Sequence, residues 1–213
     1  MEPLALFPLH TVLFPGAVLP LQVFEPRYRL MIGRCLEQRQ PFGVVLIREG
    51  EEVGGPAVPY EVGTTAVIQQ LLRLEGGLML LSAVGERRFR IRQIVQRQPY
   101  LTAEVEYLAD RVTSEAINLA RAIQQLYARH REALLHATGI QSEMDDLPDD
   151  PIALSYQLAA QFRVIDYSKQ QLLEADLEER LAAIADALQR EIELLPKHAD
   201  TPPPTTSGPW SLN

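Results

Sequence analysis

Between Thr113 and Thr138 the chain carries neither proline nor glycine, while the residues before it are punctuated by prolines at 3, 8, 15, 20, 26, 41, 56, 59 and 99. An uninterrupted stretch rich in Ala, Leu, Gln, Arg and Glu specifies a long helix of about seven turns at roughly 3.6 residues each. Gly139 stands where such a helix stops. The two textures divide the chain. Residues 1–109 are expected to form a β-rich module, 110–195 a helical bundle, and the proline-rich 196–213 a disordered tail in which Trp210 stands alone.

The first half reads as strands around one helix. Apolar residues from Leu4 to Val23 are interleaved with Pro8, Pro15 and Pro20, the pattern of short edge strands and turns. Pro26 opens a helix over about 26–39, where Tyr28, Met31, Ile32, Cys35 and Leu36 recur as one buried stripe. The run 42–47, FGVVLI, fits a strand buried on both faces, and 48–56 fits an exposed, mobile loop. Strands follow at 61–74, 78–84, 87–95 and 100–108, with a turn at 75–77. Phe89 and Ile91 alternate with Arg88, Arg90 and Arg92, and Leu101, Ala103, Val105 and Tyr107 alternate with Thr102, Glu104 and Glu106. One wet face at period two points to antiparallel strands in a small, strongly curved sheet or barrel.

In the second half Asp150 caps and Pro151 opens a helix to about Val164. Ser168 with Gln171 has capping-box spacing for a third helix, and Asp176 with Glu179 repeats the signal ahead of a helix ending at Pro196. Together these make an α+β protein.

Charge narrows the function. Residues 1–107 hold eleven Glu and eleven Arg, whereas the remainder sets 17 acids against seven Arg and two Lys, giving a net charge of -8. An acidic half repels a phosphate backbone, so nucleic acid is not the expected partner. The single cysteine, Cys35, has no disulfide partner and reads as a core thiol. The N-terminus lacks a basic segment and is broken by prolines, and no uncharged apolar run reaches membrane length. A cytoplasmic protein with no membrane contact is expected.

Several chemistries are excluded by counting. Lys169 follows Ser168 and Lys197 follows Pro196, so neither completes a phosphate-binding loop. No two glycines stand i, i+2, and no serine lies in G-x-S-x-G. Ser168 and Lys169 are adjacent on a helix and diverge by about 100°, so they do not form a nucleophile–base pair. His130 and His136 are six apart, and the acidic runs lack the spacing of oxygen ligands. No cofactor, metal or catalytic residue is expected.

In order along the chain, LALFPLHTVLFPGAVLPLQVFEPRYRLMIGRCLEQRQPFGVVLIREG (4–50), VGT (62–64), VGERRFRI (84–91) and PYLTAEVEYL (99–108) resemble the Lon N-terminal substrate-binding family. KQQLLE (169–174) and LEERLAAIADALQREIELL (177–195) are similar to its closing segment. The resemblance implies a PUA-like curved β-pseudobarrel followed by a helical bundle. It implies a stand-alone form of a module that selects unfolded or tagged polypeptides, without the ATPase and Ser-Lys peptidase of the full protease, hence not an enzyme. Unfolded or misfolded polypeptides and an ATP-dependent protease are the implied partners, with a role in proteolysis or protein quality control.

A receptor for unfolded chains needs an exposed apolar patch with a polar rim. The candidates are Phe14, Pro15, Leu19 and Phe24 in the proline-punctuated segment, with Glu25, Arg27 and Tyr28 at the first helical turn. Phe14 and Phe24 equally fit barrel-filling roles. The family's contact region includes the start of this helix, which here reads EPRYR, a departure from Lon itself. The competing reading is an RNA-binding PUA-like module with Arg87, Arg88, Arg90 and Arg92 as a basic stripe, against which Glu86, Glu104 and Glu106 argue for cross-strand ion pairs. A small-molecule barrel is a third reading, for which no anchored polar group stands out.

Overall fold

The computed structural model describes residues 3–55, 57–138, 147–162 and 164–195. Six strands, β1 (Leu4–Leu9), β2 (Val18–Val23), β3 (Phe42–Gly50), β4 (Ala57–Arg73), β5 (Met79–Gln96) and β6 (Leu101–Tyr107), surround α1 (Pro26–Gln38). Four helices follow: α2 (Ser114–Thr138), α3 (Pro151–Gln161), α4 (Asp166–Glu174) and α5 (Leu177–Leu194). The sheet order is β2-β5-β4-β3-β1-β6, and β6 also pairs with β5. The sheet therefore curls back on itself as a pseudobarrel without becoming a regular closed barrel, in agreement with the expected α+β class. Among the described residues no helix is long and apolar enough to cross a membrane. The tail 196–213, with Trp210, lies outside the described residues, as does 141–146 of the acidic loop.

Two strand expectations need correction. β1 is not an edge strand: it runs parallel to β3 and antiparallel to β6. Pro8 is accommodated because β6 pairs only with Leu4, Ala5 and Leu6, so the missing N–H falls beyond that ladder. The β1–β3 pair is parallel because β2 and α1 supply the crossover that a parallel connection requires. Residues 78–84 and 87–95 are one strand, β5, with no turn at Gly85. Gly85 is there for proximity. A Cβ on it would lie 2.4 Å from the Phe14 carbonyl oxygen. The segment Phe14-Pro15-Gly16-Ala17 turns against that spot, with the Ala17 N–H donating to Phe14 O at 3.1 Å and Gly16 at φ 80. Proline then glycine at the two central positions is the type II pattern, which needs a positive φ at the second.

β5 is long enough to serve two structures. Its first part, Met79–Val84, lies between β2 and the end of β4, forming a three-stranded arm. Its second part, from Phe89, pairs with β6 in the pseudobarrel. Helix α1 packs the predicted stripe of Tyr28, Met31, Ile32 and Cys35 into a core shared with Phe7, Phe42, Val44, Leu81 and Ala83. It ends at Arg39, which takes the left-handed conformation that usually selects glycine.

The helices start largely where their caps predict. Asp150 accepts from the Ala153 N–H at 2.9 Å with Pro151 in the first turn, and Asp176 with Glu179 forms a complete capping box. Ser168 is not a cap: α4 begins two residues earlier, at Asp166, with Ile165 ahead of it. Leu154, Leu158, Leu173, Leu181, Ile184 and Leu188 build the helical core, into which Phe14 and Val62 reach from the β half.

A buried polar network joins the two halves. Arg88 donates to the Leu173 and Ala175 carbonyls at 2.6 and 2.7 Å and to Asp110 Oδ1 at 2.7 Å. Arg180 donates to the same Oδ1 at 2.9 Å, to Ser155 Oγ at 2.9 Å and to Ala175 O at 2.9 Å. The Tyr156 hydroxyl donates to Asp110 Oδ2, and its ring lies 4.2 Å from the Arg180 guanidinium. Burial, the larger cause, and the bond to Asp110 push the Tyr156 phenol up, while the Arg180 charge pulls it down. Two guanidiniums thus share one carboxylate, with further partners in the Ser155 hydroxyl and in carbonyls at the end of α4, where the helix dipole is negative, while Arg88 Nε is left without a partner among the described residues.

Candidate functional site

The seven expected contact residues do not form one surface. Phe14 is 1% exposed, with its ring 6.4 Å from that of Tyr156, and Tyr28 is buried with its ring stacked on Phe7 at 4.1 Å. Both fill the interior, which corrects their expected place on the surface. Glu25 and Arg27 are occupied with each other at 3.0 Å and with the 51–55 loop. Glu25 accepts from the Gly54 N–H at 3.2 Å, and Arg27 donates to Gly55 O at 3.2 Å. That loop is exposed, as its composition predicts, and is tied by these bonds to the start of α1. Pro15 and Leu19 are half-buried, and Leu19 packs toward α1. Phe24, 54% exposed, is the one of the seven that stands well out.

The exposed apolar surface is instead the outer face of the arm. In the antiparallel register, Val18, Val84 and Val67 are neighbours, as are Pro20, Ser82 and Gln70, and Gln22, Leu80 and Leu72. Cross-strand neighbours share a face. The alternate set, Leu19, Leu21, Leu81, Ala83, Ile68 and Leu71, faces α1. A bulge at Gln69, where the register shifts between Ile68 and Gln70, lets both Ile68 and Leu71 point inward and so keeps the outer rows in step. None of the nine outer residues is charged, and Val18 and Leu72 are 64% and 56% exposed. Apolar groups held on a paired sheet face, interleaved with Gln and Ser, can bury an extended chain's side chains and hydrogen-bond its polar groups without a charge to desolvate.

β2 is the outer strand of the arm, paired among the described residues with β5 alone. The Gly85 N–H donates to Ala17 O at 3.0 Å, which phases the ladder. Leu19, Leu21 and Val23 therefore turn their backbone groups toward β5, while Val18, Pro20 and Gln22 turn theirs outward. Pro20 thus sits where its missing donor removes no ladder bond.

The sequence missed this face because its members come from three segments with mixed polarity; only the pairing register assembles them. The arginine stripe dissolves for the same reason. Arg88 is 4% exposed inside the buried polar network, Arg87 lies over the Tyr107 ring at 3.9 Å, and Arg92 is paired with Glu106. The cross-strand pairing expected of this sheet is what Arg92 makes. Cys35 is a buried thiol, as expected, and desolvation raises its pKa to about 11. His130 pairs with Glu191 at 3.1 Å between α2 and α5.

Comparisons with known proteins place this architecture. The chain is 33% identical over 202 residues to the Lon protease of Anaeromyxobacter dehalogenans, covering 90% of this chain and 24% of that protein. It is 32% identical over 198 residues to Lon protease 2 of Myxococcus xanthus, again covering 90% of this chain and 24% of the relative. The chain thus spans about a quarter of the length of the curated relatives it matches. A crystal structure of a Lon N-terminal domain protein from Xanthomonas campestris superposes with a TM-score of 0.64 at 28% identity, covering 87% of this chain and 98% of that one. The N-terminal domain of the Mycobacterium avium complex Lon protease shares the fold, with a TM-score of 0.66 at 22% identity, covering 88% and 98%. Residues 3–190 match the model of the ATP-dependent protease La (LON) substrate-binding domain, and the chain belongs to that family.

Proposed function

We propose that this chain is a non-catalytic polypeptide-recognition module that takes up exposed apolar segments of unfolded or misfolded proteins on the outer face of the arm. The observation that carries the reading is the nine-residue, charge-free face built by β2, β4 and β5, with exposed Phe24 following directly after β2. Membership of a substrate-binding family supports it. The module serves proteolysis or quality control, handing clients to an ATP-dependent protease, and supplies recognition rather than bond cleavage or nucleotide hydrolysis.

The test is fluorescence polarisation with a labelled, permanently unfolded polypeptide such as carboxymethylated α-lactalbumin, against its folded parent. Binding is expected in the micromolar range or weaker, confined to the unfolded form, because a small open face offsets little of the entropy of association. The triple variant Val18→Ser, Leu72→Ser, Leu80→Ser is expected to lose it while keeping its thermal transition. Unchanged binding by the variant, or robust proteolysis by the purified chain, would overturn the reading.

A further inference from the structure

At the tip of the arm lies a cleft of about 460 Å³, lined by Pro26, Arg29, Leu30, Arg73, Leu74, Gly77 and Met79. Its apolar part is Leu30, Leu74 and Met79, and its charged part is two arginines. Among the described residues no carboxylate lines it. Arg29 is held in place: its Nη1 donates to Gly76 O at 3.2 Å, and it occupies the space a Cβ on Gly77 would need, 1.9 Å away. Arg73 is exposed at the end of β4, opposite Met79 in the register. Of the nearby acids, Glu25 is engaged by Arg27 and the Gly54 N–H, and Glu75 is exposed in the turn Glu75–Gly77 without lining the cleft.

We propose that this cleft captures the C-terminal residue of a client polypeptide, the α-carboxylate between Arg29 and Arg73 and an apolar terminal side chain against Leu30, Leu74 and Met79. Charge complementarity selects a carboxylate, and guanidinium groups suit it because their planar N–H array can donate in pairs. The floor selects the terminal position. Only a chain's last residue carries a carboxylate and an apolar side chain on the same Cα. An internal acid next to an apolar residue would spread the two over neighbouring side chains and leave both flanking chains to be routed out of the cleft. The inference rests on the reading of the arm as a polypeptide-binding element: the cleft lies at its tip on the side facing α1, across the sheet from the outer face, and adds an end-specific site to a face that is otherwise indifferent to sequence.

The experiment uses an N-terminally labelled, otherwise uncharged peptide ending in Leu-Leu, as the free acid and as the C-terminal amide, together with a third peptide, amidated, carrying one internal Glu beside Leu. The acid is expected to bind about fivefold tighter than the amide, the scale of an exposed charged contact. Arg73→Gln and Arg29→Gln, each with an unchanged circular-dichroism melt, are expected to bring that ratio close to one. Gly77→Ala, which displaces the Arg29 guanidinium but also strains a backbone held at φ 80, is expected to reduce it and is read only alongside its circular-dichroism melt. Equal affinity for acid and amide, or a preference that survives both arginine substitutions, would sink the proposal. A Glu peptide that binds as tightly as the free acid would overturn the terminal assignment. If acid and amide bind equally yet both weaken in the Val18, Leu72, Leu80 variant, the arm's general role stands while the end-specific anchor falls; if neither binds, both fall.

Discussion

Asp110 Oδ1 lies 2.9 Å from Arg180 Nη2, joining residues 70 positions apart, and both side chains are almost fully withdrawn from water. The same oxygen takes Arg88, so one carboxylate compensates two guanidiniums. Replacing it with a neutral group leaves both cations in a low-dielectric interior. Asp110→Asn is therefore expected to destabilise the protein by about 3–5 kcal/mol. Differential scanning calorimetry should record this as a fall in Tm of roughly 10 °C.

Phe14 separates core from contact. Its ring fills the junction between the β and helical halves, so Phe14→Ala is expected to cost about 3–5 kcal/mol in urea-unfolding experiments. Below the temperature at which the variant unfolds, its affinity for unfolded polypeptide should match that of the parent. A selective loss of binding without loss of stability would return Phe14 to the contact surface.

How much of this was legible beforehand depends on how local each determinant is. The stripe on α1, the Asp150-Pro151 start of α3 and the Asp176-Glu179 box are written within a few residues and could be read directly. Ser168 carried the same kind of signal and yet lies inside α4, because the helix takes its start from Asp166 instead. Arg88 alternates with Phe89 and looked solvent-facing; its burial requires the end of α4 and Asp110 to close over it, which no local spacing encodes. The outer face of the arm stayed hidden because Val18, Leu72 and Leu80 become neighbours only through the register of β2, β5 and β4.

The Cys35 thiol reports on pH. Burial favours its neutral form, so its pKa stands at about 11 rather than the ordinary 9.0. Its contribution to stability is complete below the unfolded-state pKa near 9.0 and is lost as pH rises through about 11, because the unfolded chain ionises first. Burial of Tyr156 works in the same direction. Thermal transitions should fall as pH rises above 9. Iodoacetamide labelling of native Cys35 should be slow at pH 8 and accelerate on adding denaturant; rapid labelling of the native protein at pH 8 would contradict the burial.

Gly85 tests the junction from the other side. With the Phe14 carbonyl oxygen 2.4 Å from where a Cβ would stand and Leu13 Cγ at 3.1 Å, Gly85→Ala must push backbone apart. A loss of about 1–3 kcal/mol is expected by chemical denaturation. Gly33→Ala on α1, where nothing lies within 4 Å of the added atom, is the matched control and should be neutral or stabilising.

Pro20 has a consequence for the company this molecule keeps. A greasy strand with bare amides along its outer border invites a second copy to zip alongside it, and repeated zipping ends in aggregate. By deleting one amide midway along that border, Pro20 interrupts such a zipper where it would run longest. The surface can then stay sticky toward passing chains while remaining a poor template for its own kind.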